Sequence, residues 1–429
     1  MSATGVSAAG GRHVAIIGAG AIGVISAIEL LRDGHRVTII DPGTPGGEQA
    51  ASYGNAGWLS SHSVIPPAEP GVWKKLPKFL MDPLGPLAIR WSYLPRALPW
   101  LARYLWSGWT EAKVEETARA LRNLLRDAPL LHKALAAEAG LSALIEHQGL
   151  MHIYPSRADF EADKLAWGIR KRVGIEWLEL SEDEMRQREP ELHRRYKFGV
   201  LVEEAGRCRD PGAYVAGLAR YAGELGAAFV SARATGLKLE GGRVKAVVTG
   251  DGEIACDAVV VAAGARSKPL CASIGDRLPL ETERGYHVMI EDAGTGPRTP
   301  VMASDTKMVA SRMNKGLRGA GQVEIAGLDA APDWRRADIL RDHLISMFPN
   351  LPKDLPPEKI RVWLGHRPSM PDGRPCIGHA RASRDVVYAF GHGHVGLVSS
   401  ARTGRLVAQL IAAREPEIPL GAFDPKRFL

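Results

Sequence analysis

The sequence predicts an α/β protein. A doubly wound nucleotide-binding domain is assembled from separate stretches of chain and joined to an α+β domain with a mainly antiparallel sheet. Three observations lead there. A glycine fingerprint near the start sits between a short apolar run and a helical one. A second buried-strand pattern, VVVAAGARS, returns only at Val259. Between it and the C-terminal glycines lie runs that read as paired strands, ERGYHVMI and ASRMNKGLRGAGQVEIAG.

The length, 429 residues, exceeds what one hydrophobic core usually serves, so two domains are expected. The nucleotide domain is placed at residues 12–75, 195–275 and 365–429, and the substrate domain at 76–194 and 276–364. Apolar content of 45% and charged content of 24% are those of a globular protein. No apolar run is long enough for a membrane span. The four cysteines are scattered without metal-binding spacing, so no metal centre is expected and the thiols read as reduced, in the cytoplasm. The first dozen residues are small and polar, without the apolar core of a signal peptide. A net charge of +7 comes with no nucleic-acid-binding motif, and no nucleic acid partner is expected.

The charge is uneven. Between Val72 and Trp109 stand Lys74, Lys75, Lys78, Arg90, Arg96 and Arg103 against Asp82 alone, with five of the chain's ten tryptophans. Either this stretch rests on the headgroup layer of an anionic membrane, peripheral on the inner face of the cytoplasmic membrane, or its aromatics pack inside a helix pair.

The fingerprint comes first in the chain. Val14 to Ile17 reads as a buried strand, followed at once by Gly18, Ala19, Gly20, Ala21, Ile22 and Gly23. Gly18 allows the tight turn, Gly20 lets a pyrophosphate approach the backbone, and Gly23 lets helix and strand pack closely. Asp41 ends the next strand, 18 residues past Gly23, where it can bind the hydroxyls of an adenosine ribose. Its charge disfavours NADP, and this Rossmann-like unit alone leaves NAD and FAD open. The stretch that follows, GTPGGEQAASYGNAGWLSS, favours FAD. Its small residues can lie against a planar ring, with Ser52, Asn55, Ala56 and Gly57 as contacts for the pyrophosphate and isoalloxazine. The alternative is a plain loop. Asp210 and Pro211 open a later helix, and Ala263-Gly264 ends a buried strand that either lies beside the adenosine half of the cofactor or is only a core strand with a tight turn.

Near the C-terminus, Gly391, Gly393 and Gly396 run into a long helix with His394, Val395 and Leu397. A helix N-terminus there stabilises negative charge on a reduced flavin. One of His392 and His394 is expected to be purely structural. In ERGYHVMI, Tyr286 and His287 point to opposite faces of a strand.

With these stretches in hand, the chain resembles the D-amino-acid dehydrogenase branch of the glycine oxidase/D-amino-acid oxidase (DAO) family of FAD-dependent oxidoreductases. The resemblance is carried by IIGAGAIGV, ASYGNAGWLS, DPGAYVAGLA, VVVAAGARS, ERGYHV, SRMNKGLRGAGQVEIAG, RPSMPDGRPCIG and GHGHVGL, in that order over nearly the whole chain. It implies bound FAD and oxidation of an amino or imino acid at its α-carbon. It also implies that Arg367 grips the substrate carboxylate through a bidentate guanidinium held still by Pro368 and the Pro371-Asp372-Gly373 turn. Tyr286 is expected to add a hydroxyl, and His287 or His394 to meet the amine or order a water. Monomeric sarcosine oxidases resemble this pattern but hold FAD on a cysteine just before the turn. Gly365 occupies that place here and Cys376 lies beyond it, so non-covalent FAD is expected. The dehydrogenase branch further implies a quinone-type electron acceptor. The alternatives are a D-hydroxyproline or D-proline-type imino-acid dehydrogenase, a glycine or N-methyl-amino-acid oxidase, a non-catalytic flavoprotein subunit, and a plain NAD dehydrogenase.

Overall fold

The computed structural model describes residues 11–75, 81–82 and 84–429. Two large sheets organise it. The first has six strands, in the spatial order Ala228–Val230, Arg36–Ile40, His13–Ile17, Ala258–Val261, Val386–Phe390, Cys376–His379. All neighbours are parallel except the last pair. Its central strands are apolar on both sides, as a sheet covered on both faces requires: Val14, Ala15, Ile16, Val259 and Val260 are fully buried. Helices Ala21–Arg32 and Gly396–Ile411 pack against each other beside it.

The second sheet has nine strands and is mostly antiparallel. Its long members are Glu281–Glu291 and Gly316–Ile325, with Ile360–Ser369 at the edge. Strand Phe198–Val202 pairs within it, so this sheet claims a segment that the sequence placed with the nucleotide unit. The apolar run FGVLV could serve either sheet, and the antiparallel partner Leu150–Tyr154 decides.

The strand Ile360–Ser369 joins the two halves. It pairs along its whole length with Glu281–Glu291, and at its end Ser369 bridges to His392, just before the C-terminal helix. That bridge fixes the second sheet against the nucleotide half at the point where the site lies. No helix among the described residues is long and apolar enough to cross a membrane. All four cysteines are free and buried.

Candidate active site

A cavity of about 1270 Å³ runs between the two sheets. Its nucleotide end is built from the fingerprint. Gly18 has φ +113°, and a side chain there would collide with the Ala262 carbonyl of the neighbouring strand. Gly18, Gly20, Ala21 and Ile22 line the cavity, and beside Gly20 there is open space. Gly23 does not line it: it packs its helix onto Gly18 and Ile16. The Asp41 carboxylate accepts from the Ala19 and Gly43 amides, both at 2.8 Å, and still borders the cavity. Ala263 and Gly264 line the same end.

The loop after Asp41 forms the next wall. Ser52, Asn55 and Ala56 line the cavity, whereas Gly57 stands behind the loop. Asn55 Oδ1 accepts from the Gly57 amide at 2.8 Å. Arg318 pins the loop from below, donating to the Asn55 carbonyl at 2.6 Å and the Tyr53 carbonyl at 3.3 Å. Burial pushes its pKa down to about 10. Trp363 lies across the loop, its indole N–H on the Glu48 carbonyl at 3.0 Å, and there is no room for a side chain at Gly54 or Gly365 beneath the ring. His287 stacks on Trp363 at 5.1 Å and meets the Gly54 carbonyl through Nδ1 at 3.1 Å.

The residues fit FAD. Ser52 Oγ and Trp58 Nε1 are buried without a hydrogen-bond partner, and both side chains border the cavity. Asp41 and the open Gly20 cradle line the same cavity, the arrangement a dinucleotide uses. Opposite, Gly393, His394, Val395, Gly396 and Leu397 line the cavity where the 16-residue helix Gly396–Ile411 starts, with no side chain capping its amides. Those amides and the helix dipole present partial positive charge. Gly391 lies outside the cavity lining, against Met370.

Arg367 projects from strand Ile360–Ser369 into the cavity and folds over Gly285 on the adjacent strand. Its Nη1 donates to the Gln322 carbonyl at 3.1 Å. Gln322 takes an unusual φ of +63°, and its side-chain oxygen accepts from Arg336 at 2.5 Å. The left-handed residue thus turns its carbonyl toward the guanidinium while its side chain is held elsewhere. Among the described residues Arg367 makes no ion pair within 4 Å. Glu283 stands opposite it across the strand pair, buried and bordering the same cavity. Burial raises the Glu283 pKa, and the charge of Arg367 partly offsets this.

His394 is exposed into the cavity. Desolvation, then the charge of Arg367, hold its pKa down at about 4, so the ring is neutral at physiological pH. His392 is the structural member of the pair, buried and bonded to Thr403 Oγ1 at 3.2 Å.

Two expected substrate contacts stand elsewhere. The Tyr286 ring borders the cavity, but its hydroxyl is already used: it donates to Glu324 at 2.7 Å and accepts from the Asp333 amide at 3.0 Å. Strand alternation sends it to the face opposite Arg367. His287 lies outside the cavity lining, and burial drives its pKa down to about 3. The structure brings Arg367 and His394 together and leaves Tyr286 and His287 as supports. Sequence reading missed Trp363, Arg318, Gln322 and Glu283. Glycines at 54 and 365 facing a tryptophan are the one signal that was present for Trp363; the others depend on strand register.

Residues 13–410 match the model of the DAO family, described as FAD dependent oxidoreductase. The chain belongs to this family. It is 74% identical over 419 residues to a D-amino-acid oxidase of Bradyrhizobium diazoefficiens, covering 98% of this chain and 99% of that protein. It is 32% identical over 428 residues to a D-amino acid dehydrogenase of Paramagnetospirillum magneticum, covering 97% and 98% of the two chains. Its fold matches glycine oxidase from Geobacillus kaustophilus with a TM-score of 0.72 at 23% identity, over 97% of this chain and 100% of that one. The chain is therefore an FAD-dependent oxidoreductase.

Proposed function

We propose that the protein oxidises a D-amino acid at its α-carbon to the imino acid, which water hydrolyses to a 2-oxo acid and ammonia. The observation that carries this is Arg367: a guanidinium with spare donors, set in the cavity beside the uncapped helix start and with no carboxylate within 4 Å among the described residues. FAD, when bound, supplies a two-electron acceptor for the hydride leaving the α-carbon. Arg367 fixes the substrate carboxylate and so the position of that carbon. His394, neutral, accepts a proton from the amino group directly or through water. Trp363 and the apolar strand face exclude bulk solvent. The names of the relatives supply the D configuration.

FAD is held non-covalently in this reading, since Cys376 is buried away from the cavity and its thiol faces Arg427. Release of the flavin on acid precipitation tests that. For the overall reading, anaerobic mixing with D- and L-amino acids, both prolines and glycine tests substrate class. Bleaching of the flavin by D-amino acids, lost in Arg367→Ala at concentrations that saturate the wild type, is the expected result. Bleaching by none of the D-amino acids refutes it.

The electron acceptor is read as a membrane quinone on a specific observation. Trp73, Met81, Trp91, Leu98, Trp106 and Trp109 are exposed large apolar side chains, Trp91 at 64% and Trp106 at 65%. Trp100 alone of the five tryptophans packs inside, its N–H on the Ser369 carbonyl. Lys78 lies outside the described residues, and Lys74 and Lys75 lie where side chains are not described, but Arg96 and Arg103 are exposed beside the apolar residues. Such a surface suits an anionic bilayer. Oxygen consumption compared with reduction of a soluble quinone, and flotation with anionic liposomes, separate this from an oxidase free in solution, which the name of the 74% relative favours.

A further inference from the structure

Lys307 breaks a local rule. It ends the turn Ser304–Lys307 with φ +51°, a backbone state that costs an ordinary side chain energy and that glycine or asparagine would occupy more easily. A strained non-glycine residue at a site points to a use for its side chain. Lys307 borders the same cavity as Arg367.

Its position relative to the clamp follows from strand register. Val309 pairs with Ala320, and the Lys307 carbonyl stands against Gly321. The next residue, Gln322, accepts the hydrogen bond from Arg367. Lys307 therefore stands one strand, about 4.8 Å, across from the backbone that holds the Arg367 guanidinium, on the wall of the same cavity.

Among the described residues, the Lys307 side chain has no hydrogen bond or ion pair. Its charge is felt on the cavity wall, where together with burial and Arg170 it holds the His152 imidazole neutral. Arg170, which lines the same cavity, has Tyr154, Glu69 and Asp163 around it to support its charge, whereas no carboxylate stands within 4 Å of the Lys307 ammonium among the described residues.

We propose that Lys307 is a second anion contact of the substrate cavity and selects D-amino acids with a side-chain carboxylate, aspartate and glutamate, while Arg367 holds the α-carboxylate. This rests on the oxidation of D-amino acids proposed above. Two charged contacts at that spacing reward a dicarboxylate over its neutral counterpart by the strength of one charge-assisted hydrogen bond, about tenfold or more.

The test uses the FAD-loaded enzyme and two non-reacting acids of equal chain length, glutarate and pentanoate, titrated against the flavin absorption. Glutarate is expected to bind at least tenfold tighter, and Lys307→Met to abolish that advantage. In turnover, the ratio of kcat/KM for D-glutamate over D-alanine should fall at least tenfold in Lys307→Met. Lys307→Gly should lose the same preference while raising Tm, which separates the charge from the strained backbone. Equal binding of the two acids by the wild type overturns the proposal. So does a variant that loses both substrates in equal proportion. If glutarate binding depends on Lys307 but no D-amino acid reduces the flavin, the subsite stands and the proposed reaction fails.

Discussion

The guanidinium of Arg367 lies directly over the backbone of Gly285, where a Cβ would occupy its place. The two residues sit on adjacent antiparallel strands, and Gly285 faces Gly365 in the ladder. The clamp is thus shaped by an absent side chain as much as by the arginine. Gly285→Ala is expected to displace the guanidinium and raise KM for the amino acid at least tenfold. Steady-state kinetics with FAD content measured alongside checks this: equal KM in variant and wild type shows the guanidinium is not positioned by that contact.

A carboxylate beside the clamp tunes it. Glu283→Gln removes a charge that supports the protonated Arg367 and competes with the incoming carboxylate. Substrate analogues should therefore bind the variant more tightly, by about threefold to tenfold, as one partly screened charge interaction is lost. Titration of a simple carboxylic acid against the flavin spectrum reads this directly.

Trp363 leaves no space over Gly54. Gly54→Ala forces the indole or the loop to move, an overpacking cost of about 1–3 kcal/mol. Loss of FAD from the purified variant and a Tm lower by several degrees are the expected outcomes. Trp363→Phe, which frees the space, should restore part of the flavin content to the double variant.

Buried histidines set the acid limit, His132, His287 and His392 among them. Burial lowers the pKa of His132 to about 4 and of His287 and His392 to about 3. In the unfolded chain each titrates near 6.5. Below that value the unfolded state binds more protons than the folded one, so stability falls as pH falls from 6.5 toward 4. Each such histidine contributes a slope of up to about 1.4 kcal/mol per pH unit in that window. Thermal denaturation from pH 7 to pH 4.5 should show a falling Tm. His392→Asn, which keeps a polar contact to Thr403 without a titrating group, should flatten the decline.

Asp41 spends one oxygen on each of two backbone amides. Asp41→Ala frees those amides and removes the carboxylate proposed to meet the ribose. Apparent affinity for FAD should weaken by roughly tenfold to a hundredfold, in line with loss of charge-assisted hydrogen bonds. Flavin titration of the apoprotein measures it; an unchanged value places the ribose elsewhere.

The fingerprint was legible because strand, turn, helix and acid are neighbours in the chain, and the structure has His13–Ile17, Ala21–Arg32 and Arg36–Ile40 in the expected order. The helix opened by Asp210 and Pro211 was legible for the same reason. The faces of the Glu281–Glu291 strand were also readable, since alternation alone separates Tyr286 from His287. What alternation could not say is which face meets the cavity. That depends on the register with Gly316–Ile325, which shifts at a bulge between Arg284 and Tyr286. The same bulge hid Gln322, whose role belongs to its carbonyl, a group every residue carries. Strand Phe198–Val202 was assigned to the wrong sheet because a five-residue apolar run carries no partner information.

One consequence follows from how the six-stranded sheet is threaded. Strand Ala258–Val261 is flanked by His13–Ile17 on one side and Val386–Phe390 on the other. A chain emerging from the ribosome holds the first nucleotide strands long before their last partner exists, and closing so distant a pairing is slow. The half-built edge left meanwhile is an opening for chaperones and for aggregation. FAD should therefore be taken up late, by completed polypeptide rather than by nascent fragments.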